Sequence, residues 1–333
     1  MTSTICGWLL AASLAVTAAE APTVRIQAVR ASNTPLLKVN VPWASNGAFN
    51  PAAIRAGNKT VLLFRAIDAH NTSRIGYAER SGDANFTIDP QPVLSPETAY
   101  EKDGGCEDPR LVQIAGTYYL TYTGYNRRDA QLCLATSSDL KQWQRRGVIM
   151  PANRGTWNTQ WTKSGAIVPD KINGKWWMYY LGTSKGSDGV VRDKMGLAVS
   201  DDLLHWTDAT DKPVLDVRPD AFDSRVMEPG PPPIVTEQGI LLLYNGADAK
   251  LVYRPAWVLF DRRDPRRVIA RAQRPFIAPE LDWERVGNVP NVIFLEGLVP
   301  GTHPMHFVGY YGAADKHIGA MNLQIEVQAA AAR

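Results

Sequence analysis

Two short stretches of this sequence carry carboxylates in settings suited to acid–base chemistry. Glu107-Asp108-Pro109-Arg110 places two acids side by side where an apolar run begins. On an extended strand successive side chains point to opposite faces. One acid is therefore expected to face a cavity while the other pairs with a cation such as Arg110. In the second stretch, Arg225 and Glu228 precede Pro229-Gly230-Pro231-Pro232-Pro233. Prolines fix an extended backbone and hold rigidly what comes before them. Two carboxylates across a pocket, one protonated and one ionised, are the apparatus of glycoside hydrolysis. The structural alternatives are an Asp-Pro turn and a loop cap by Glu228.

Other side chains suit the holding of a sugar. Arg65 follows the apolar run VLLF and Asp315 ends YYGAAD. Groups that bond in a bidentate way fit vicinal diols, although a buried salt bridge would use the same residues. Trp157, Trp161, Trp176 and Trp177 cluster where a third apolar segment begins. Aromatic faces stack on sugar rings, but Trp176 and Trp177 alternate on a strand, so at least one is expected in the core. The histidines show no ligand spacing and the cysteines form no CxxC, so no metal is expected. No cofactor is expected either, since a dinucleotide fingerprint, a P-loop and a GxSxG elbow are all missing.

A repeat supplies the elements that must position these groups. Segments beginning at Phe49, Glu107, Lys163, Pro229 and Asn288 share one pattern. Each reads as a strand, a turn at Gly57, Gly116, Gly174, Gly239 or Gly301, and an aromatic-rich strand. A third apolar stretch follows each, as in SRIGYAER and QLCLATSS. After the second and third comes a polar turn ending in Trp143 or Trp206, and then a fourth strand. No segment sustains helical spacing for four turns. Five four-stranded units predict an all-β chain folded as one five-bladed β-propeller. The first strands of such a ring line a central channel. Asn50, Asp108, Lys163 with Ser164, Glu228 with Pro229, and Asn291 should then converge at its mouth.

Composition narrows the function classes. The 333 residues are 45% hydrophobic and 21% charged, which excludes a disordered chain and a coiled coil. Net charge is +3 with no basic block, so nucleic acid is not an expected partner. Residues 5–19 form an apolar run followed by Ala19-Glu20-Ala21, which fits a signal peptide over residues 1–21. The lack of Lys or Arg before the run, and Pro22 after the cut, fit this less well. Export to the periplasm or the outside follows, with residues 22–333 as the mature domain. No second run is long enough for a membrane helix. Cys106 and Cys133 either pair or stay as buried thiols. Oligomeric state is open: the apolar residues 327–332 dock on a neighbour or fray.

The chain resembles glycoside hydrolase family 130, the mannoside phosphorylases and β-mannosidases. The motifs are FNPA (49–52), LLFRAID (62–68), GCEDPR (105–110), YYLTYTGYN (118–126) and SSDLKQW (137–143). They continue through PPPIVTEQGILLLYNGA (231–247), IARAQRPFIAPELDWE (269–284), NVPNVIF (288–294) and YYGAAD (310–315). The resemblance implies a five-bladed propeller and an inverting mechanism. In it Asp108 matches the proton donor, acting through a sugar hydroxyl. Asn50, Arg65 and Asp315 match residues that hold the mannose at the cleaved bond.

The sequence departs from the phosphorylase pattern at three places. Tyr180-Leu181-Gly182 stands where phosphorylases carry an arginine in a His-Arg-Pro stretch. Asn245-Gly246 stands where they carry a histidine. Glu228 replaces part of a Gly-rich stretch. Losing cations disfavours a phosphate dianion, and a carboxylate there supplies a general base. The expectation is an exported, inverting hydrolase of β-mannosidic links, β-1,2 first, with Asp108 as acid and Glu228 as base. Asn50, Arg65, Lys163, Arg225, Asn245 and Asp315 are the expected substrate-binding residues. One alternative is a phosphorylase, with Lys163, Arg225 and Arg154 contacting phosphate. Another propeller glycosidase, such as an arabinofuranosidase or xylosidase, typically has an Asp base where this chain has Asn50. The last alternative is a sugar-binding propeller without catalysis.

Overall fold

The computed structural model describes residues 22–329. The leader expected over residues 1–21 lies outside them, as do residues 330–333 of the apolar end. The regular structure of the described chain is strand, apart from one short helix at Asp282–Arg285 and a 3-10 turn at Pro42–Ala44.

The strands form five antiparallel meanders of four. The first is Gly47–Ala56, Lys59–Ile67, Ser73–Ser81 and Thr87–Ile88. The second is Gly105–Ile114, Thr117–Tyr125, Ala130–Ser137 and Gln144–Met150. The third is Thr162–Ile167, Trp176–Lys185, Val191–Ser200 and Thr207–Asp208. The fourth is Val226–Pro229, Ile240–Ala247, Tyr253–Phe260 and Val268–Arg271, with Ile234–Val235 extending its first strand. The fifth is Ile293–Pro300, His306–Ala313 and His317–Gln328, completed by Thr23–Arg30 from the other end of the chain. The repeat predicts the first three strands of each unit. The N-terminal strand closing the fifth is a further finding.

Alternation along the second strands explains the packing. Leu62, Phe64 and Ala66 pack toward the fifth meander with Tyr310 and Ile318. Val61 and Leu63, on the opposite face, pack toward the second with Leu120 and Tyr122. A strand buried on both faces must be apolar at consecutive positions, hence runs such as VLLF. Three further apolar clusters fill the contacts of the second with the third, the third with the fourth, and the fourth with the fifth. Five meanders thus meet at five interfaces, the last returning to the first. Single parallel bridges repeat the step between neighbours at Ser73–Gly105, Asp193–Val226 and Tyr253–Val292. The polar turns repeat as well: Trp143 Nε1 donates to Leu140 O and Trp206 Nε1 to Leu203 O.

Candidate active site

The first strands share an irregularity that aims the functional side chains. The register breaks at Asn50, between Glu107 and Arg110, between Lys163 and Ala166, and between Leu295 and Gly297. Asn50, Asp108 and Ser164 at these bulges have φ of 48°, 48° and 57°. Asn and Asp tolerate the left-handed region better than most residues. A bulge re-aims a side chain and cancels strict alternation.

This overturns the expected geometry of the two adjacent acids. Glu107 and Asp108 do not diverge; both reach Arg65. Arg65 Nη2 donates to Glu107 Oε1 at 2.7 Å, and Nη1 to Asp108 Oδ1 at 3.2 Å. Arg65 Nε donates to Ser73 Oγ at 3.1 Å, and the guanidinium lies over the Phe49 ring. Arg110 instead pairs with Glu296, 2.7 Å away. Asn50 Nδ2 donates to Asp108 Oδ1 at 2.9 Å. Its amide fits because position 312 is glycine: a Cβ there would lie 1.9 Å from Asn50 Oδ1.

Asp108, Glu228 and Lys163 converge across the meanders. Ser164 Oγ donates to Glu228 Oε1. Lys163 Nζ lies 3.9 Å from Glu107 Oε2 and sits over the Trp161 ring. Lys163 and Glu228 line a cavity of about 780 Å³ with Trp161, Leu181, Asp193 and Tyr253. Trp161 is the aromatic wall, donating to Arg128 O and meeting Tyr125 edge-on. A cleft of equal volume between the first and fifth meanders has Asp83 as its one lining carboxylate, and we do not assign the chemistry there.

Burial and charge set the protonation of these groups. Burial alone would raise Asp108, but Arg65, Lys163, Arg110 and the Asn50 bond hold it at about 2. Burial pushes Glu228 up to about 7 against Arg110 and Lys163. Burial likewise takes Asp315 to about 7 despite Arg65. Glu296, also buried, is pushed well above the carboxylate range. Burial disfavours the charge on Lys163, yet Glu107, Asp108 and Glu228 outweigh it and raise its pKa. The free site therefore keeps protons on carboxyls near an ionised Asp108.

Several predicted residues fall elsewhere. Asn245 is fully buried and braces two meanders: its Nδ2 donates to Leu295 O at 3.0 Å and its Oδ1 accepts from Leu295 N at 2.8 Å. With both amide ends occupied, it is a brace rather than a sugar ligand. Arg225 donates through Nε to Val191 O and lines a neighbouring concavity with Arg192 and Arg254. Arg154 is held by Asp208 and Tyr180. Trp176 and Trp177 begin the second strand of their meander beside Gly174, at the end away from Lys163. Cys106 and Cys133 are buried free thiols. Among the described residues no group of three His, Cys, Asp or Glu could hold a metal ion.

The fifth meander supplies Glu296 at the bulge, not Asn291. Asn291 lies upstream, its carbonyl accepting from Tyr253 N. The bulge of the second meander skips two residues, Asp108 and Pro109, and that of the fifth skips only Glu296, so no gap-free alignment of the repeats matches the two acids.

Comparison with known proteins adds lineage to this geometry. The profile of glycoside hydrolase family 130, described as beta-1,4-mannooligosaccharide phosphorylase, matches residues 18–328. A 1,2-beta-oligomannan phosphorylase from Thermoanaerobacter sp. (strain X514) is 37% identical over 90% of this chain and 98% of its own. A beta-1,2-mannobiose phosphorylase from the same organism is 36% identical over 89% of this chain and 97% of its own. A solved structure superposes with a TM-score of 0.76 at 32% identity, covering 94% of this chain and 95% of that one. Its description states that this family of mannoside phosphorylases contains glycoside hydrolases that target β-1,2 mannosidic linkages in Candida mannan.

Proposed function

Because the chain belongs to glycoside hydrolase family 130, we propose that it cleaves β-mannosides with inversion, using water as the nucleophile and β-1,2 links as substrate. The reading takes the five meanders as a five-bladed propeller with the mannose at the mouth of its axis. The observation that carries it is a buried carboxylate, Glu228, on the wall of the cavity that also holds Lys163. Once its proton has passed to Asp108 on substrate binding, the Glu228 carboxylate repels a phosphate oxyanion by about 4 kcal/mol per unit charge at 4 Å and an effective dielectric of ~20. Lys163 offsets part of that. Arg154 and Arg225 do not, since each is engaged outside the cavity. The same carboxylate serves water as a general base.

Asp108 and Glu228 act as a coupled pair in this scheme. Between about 2 and about 7 the pair holds one proton, which resides on Glu228 in the free enzyme. Productive binding places that proton on Asp108, with sugar hydroxyls between the two carboxyls. Glu228 then takes a proton from water while Asp108 returns one to the leaving oxygen. The sign for pH follows. Above about 7 the second proton is lost and no acid remains. The ratio kcat/KM is therefore expected to be level below about 7 and to fall about tenfold per pH unit above it. A profile rising through pH 7 would contradict the one-proton scheme.

The names of the relatives favour a second reading, phosphorolysis. Both of those compared by sequence are called phosphorylases. In that case Lys163 and the exposed Arg128 on the cavity wall would receive phosphate. Product analysis on β-1,2-mannobiose with and without inorganic phosphate separates the two. Mannose released at a rate indifferent to phosphate supports hydrolysis. Mannose 1-phosphate formed only with phosphate overturns it and leaves the role of Asp108 in place. We read residues 1–21 as a leader for export, where hydrolysis needs no intracellular phosphate.

A further inference from the structure

Arg110 is a charged side chain with 1% exposure, enclosed where three meanders meet. Its Nη1 donates to the Asp108 carbonyl at 3.0 Å and its Nη2 to the Pro229 carbonyl at 2.7 Å. Nε reaches the Gly230 carbonyl at 3.4 Å. Nη1 lies 2.7 Å from Glu296 Oε1, and Nη2 lies 3.9 Å from Glu228 Oε1. Phe294 offers its ring face to the guanidinium. A buried cation is costly unless paired, and Glu296 is the nearest acid.

The pattern of these contacts is specific. One rigid fork binds the backbone at Asp108 and the backbone immediately after Glu228. We propose that Arg110 is a positioning residue that sets the spacing of Asp108 and Glu228 and supplies the cation that favours the carboxylate form of Glu228. The inference rests on the assignment of Glu228 as the base. A lysine keeps the charge but cannot hold several carbonyls in fixed directions, because only the guanidinium presents planar, divergent donors. Glu228 is faced by Arg110 and Asp108 from the second meander, Lys163 and Ser164 from the third, Glu296 from the fifth and Tyr253 from its own. Arg110 and Lys163 are the cations that oppose its burial, so removing Arg110 must move its titration upward.

The test compares Arg110→Lys and Arg110→Met with the parent enzyme, alongside Glu228→Gln. Misplacing reacting groups by an ångström costs ~10²-fold. Arg110→Lys is expected to lose kcat by that order with KM little changed and the alkaline limb near its original pH. Arg110→Met should lose at least as much kcat, with the limb moved to higher pH. Parent-like kcat/KM in Arg110→Lys, or an unmoved limb in Arg110→Met, overturns the proposal. Should Arg110→Met not fold, Arg110→Lys decides. If neither gives the parent's circular dichroism, Arg110 serves the fold alone and the proposal fails. Phosphate-independent turnover surviving in Glu228→Gln would place the fault in the base assignment instead.

Discussion

Glu228→Gln is expected to lower phosphate-independent cleavage of β-1,2-mannobiose by ~10²–10⁴-fold, the usual cost of losing a general base. The amide keeps the volume of a buried side chain and can still accept from Ser164 Oγ. The change therefore isolates the charge and the proton. The alkaline limb near pH 7 should vanish with it, which also separates Glu228 from Asp315, whose carboxyl is held in the same range. Phosphorolysis predicts otherwise. Removing a carboxylate from a phosphate site would leave the phosphate-dependent rate unchanged or higher. Full hydrolytic activity in this variant would remove Glu228 from the mechanism.

Asp108→Asn should cost a similar ~10²–10⁴-fold on the same unactivated sugar, whichever nucleophile attacks. The loss should shrink on an aryl mannoside with an acidic leaving group, which departs with little help from an acid. That dependence distinguishes proton donation from a structural role. Asp108 accepts from Asn50 and Arg65, and a merely structural loss would be equal for both substrates. Equal losses would therefore reassign Asp108 to positioning. Circular dichroism and thermal unfolding of the variant check that the buried Arg65 cluster survives the lost charge.

Much of the site was legible because the repeat is legible. Asn50, Asp108 and Ser164 stand at the same point of their repeats, and the structure places all three at bulges. Glu228 was readable from the proline run after it. Alternation, however, misled the reading of Glu107 and Asp108. It assumes a regular strand, and a bulge with Asp108 at φ 48° turns both acids toward Arg65. Glu296 was missed because the bulge of its repeat skips one residue where that of the second skips two. Asn245 and Arg225 were placed by position along the chain, which does not say which face or which neighbour a side chain meets.

The sequence by itself determined the first three strands of each unit, the all-β class, the repeat that brings distant segments together and the two acids. These follow from apolar periodicity and turn residues, which are local properties. Tertiary structure alone decided the partners. Arg65 rather than Arg110 binds the acid pair, Asn245 braces two meanders, and the strand Thr23–Arg30 completes the last of them. It also decided the protonation. Asp108 and Glu228 are both carboxylates with similar affinities in water, and they separate to about 2 and about 7 because cations reached from other meanders surround one more closely than the other. Burial and through-space charge depend on what lies opposite, and no local pattern of residues encodes that.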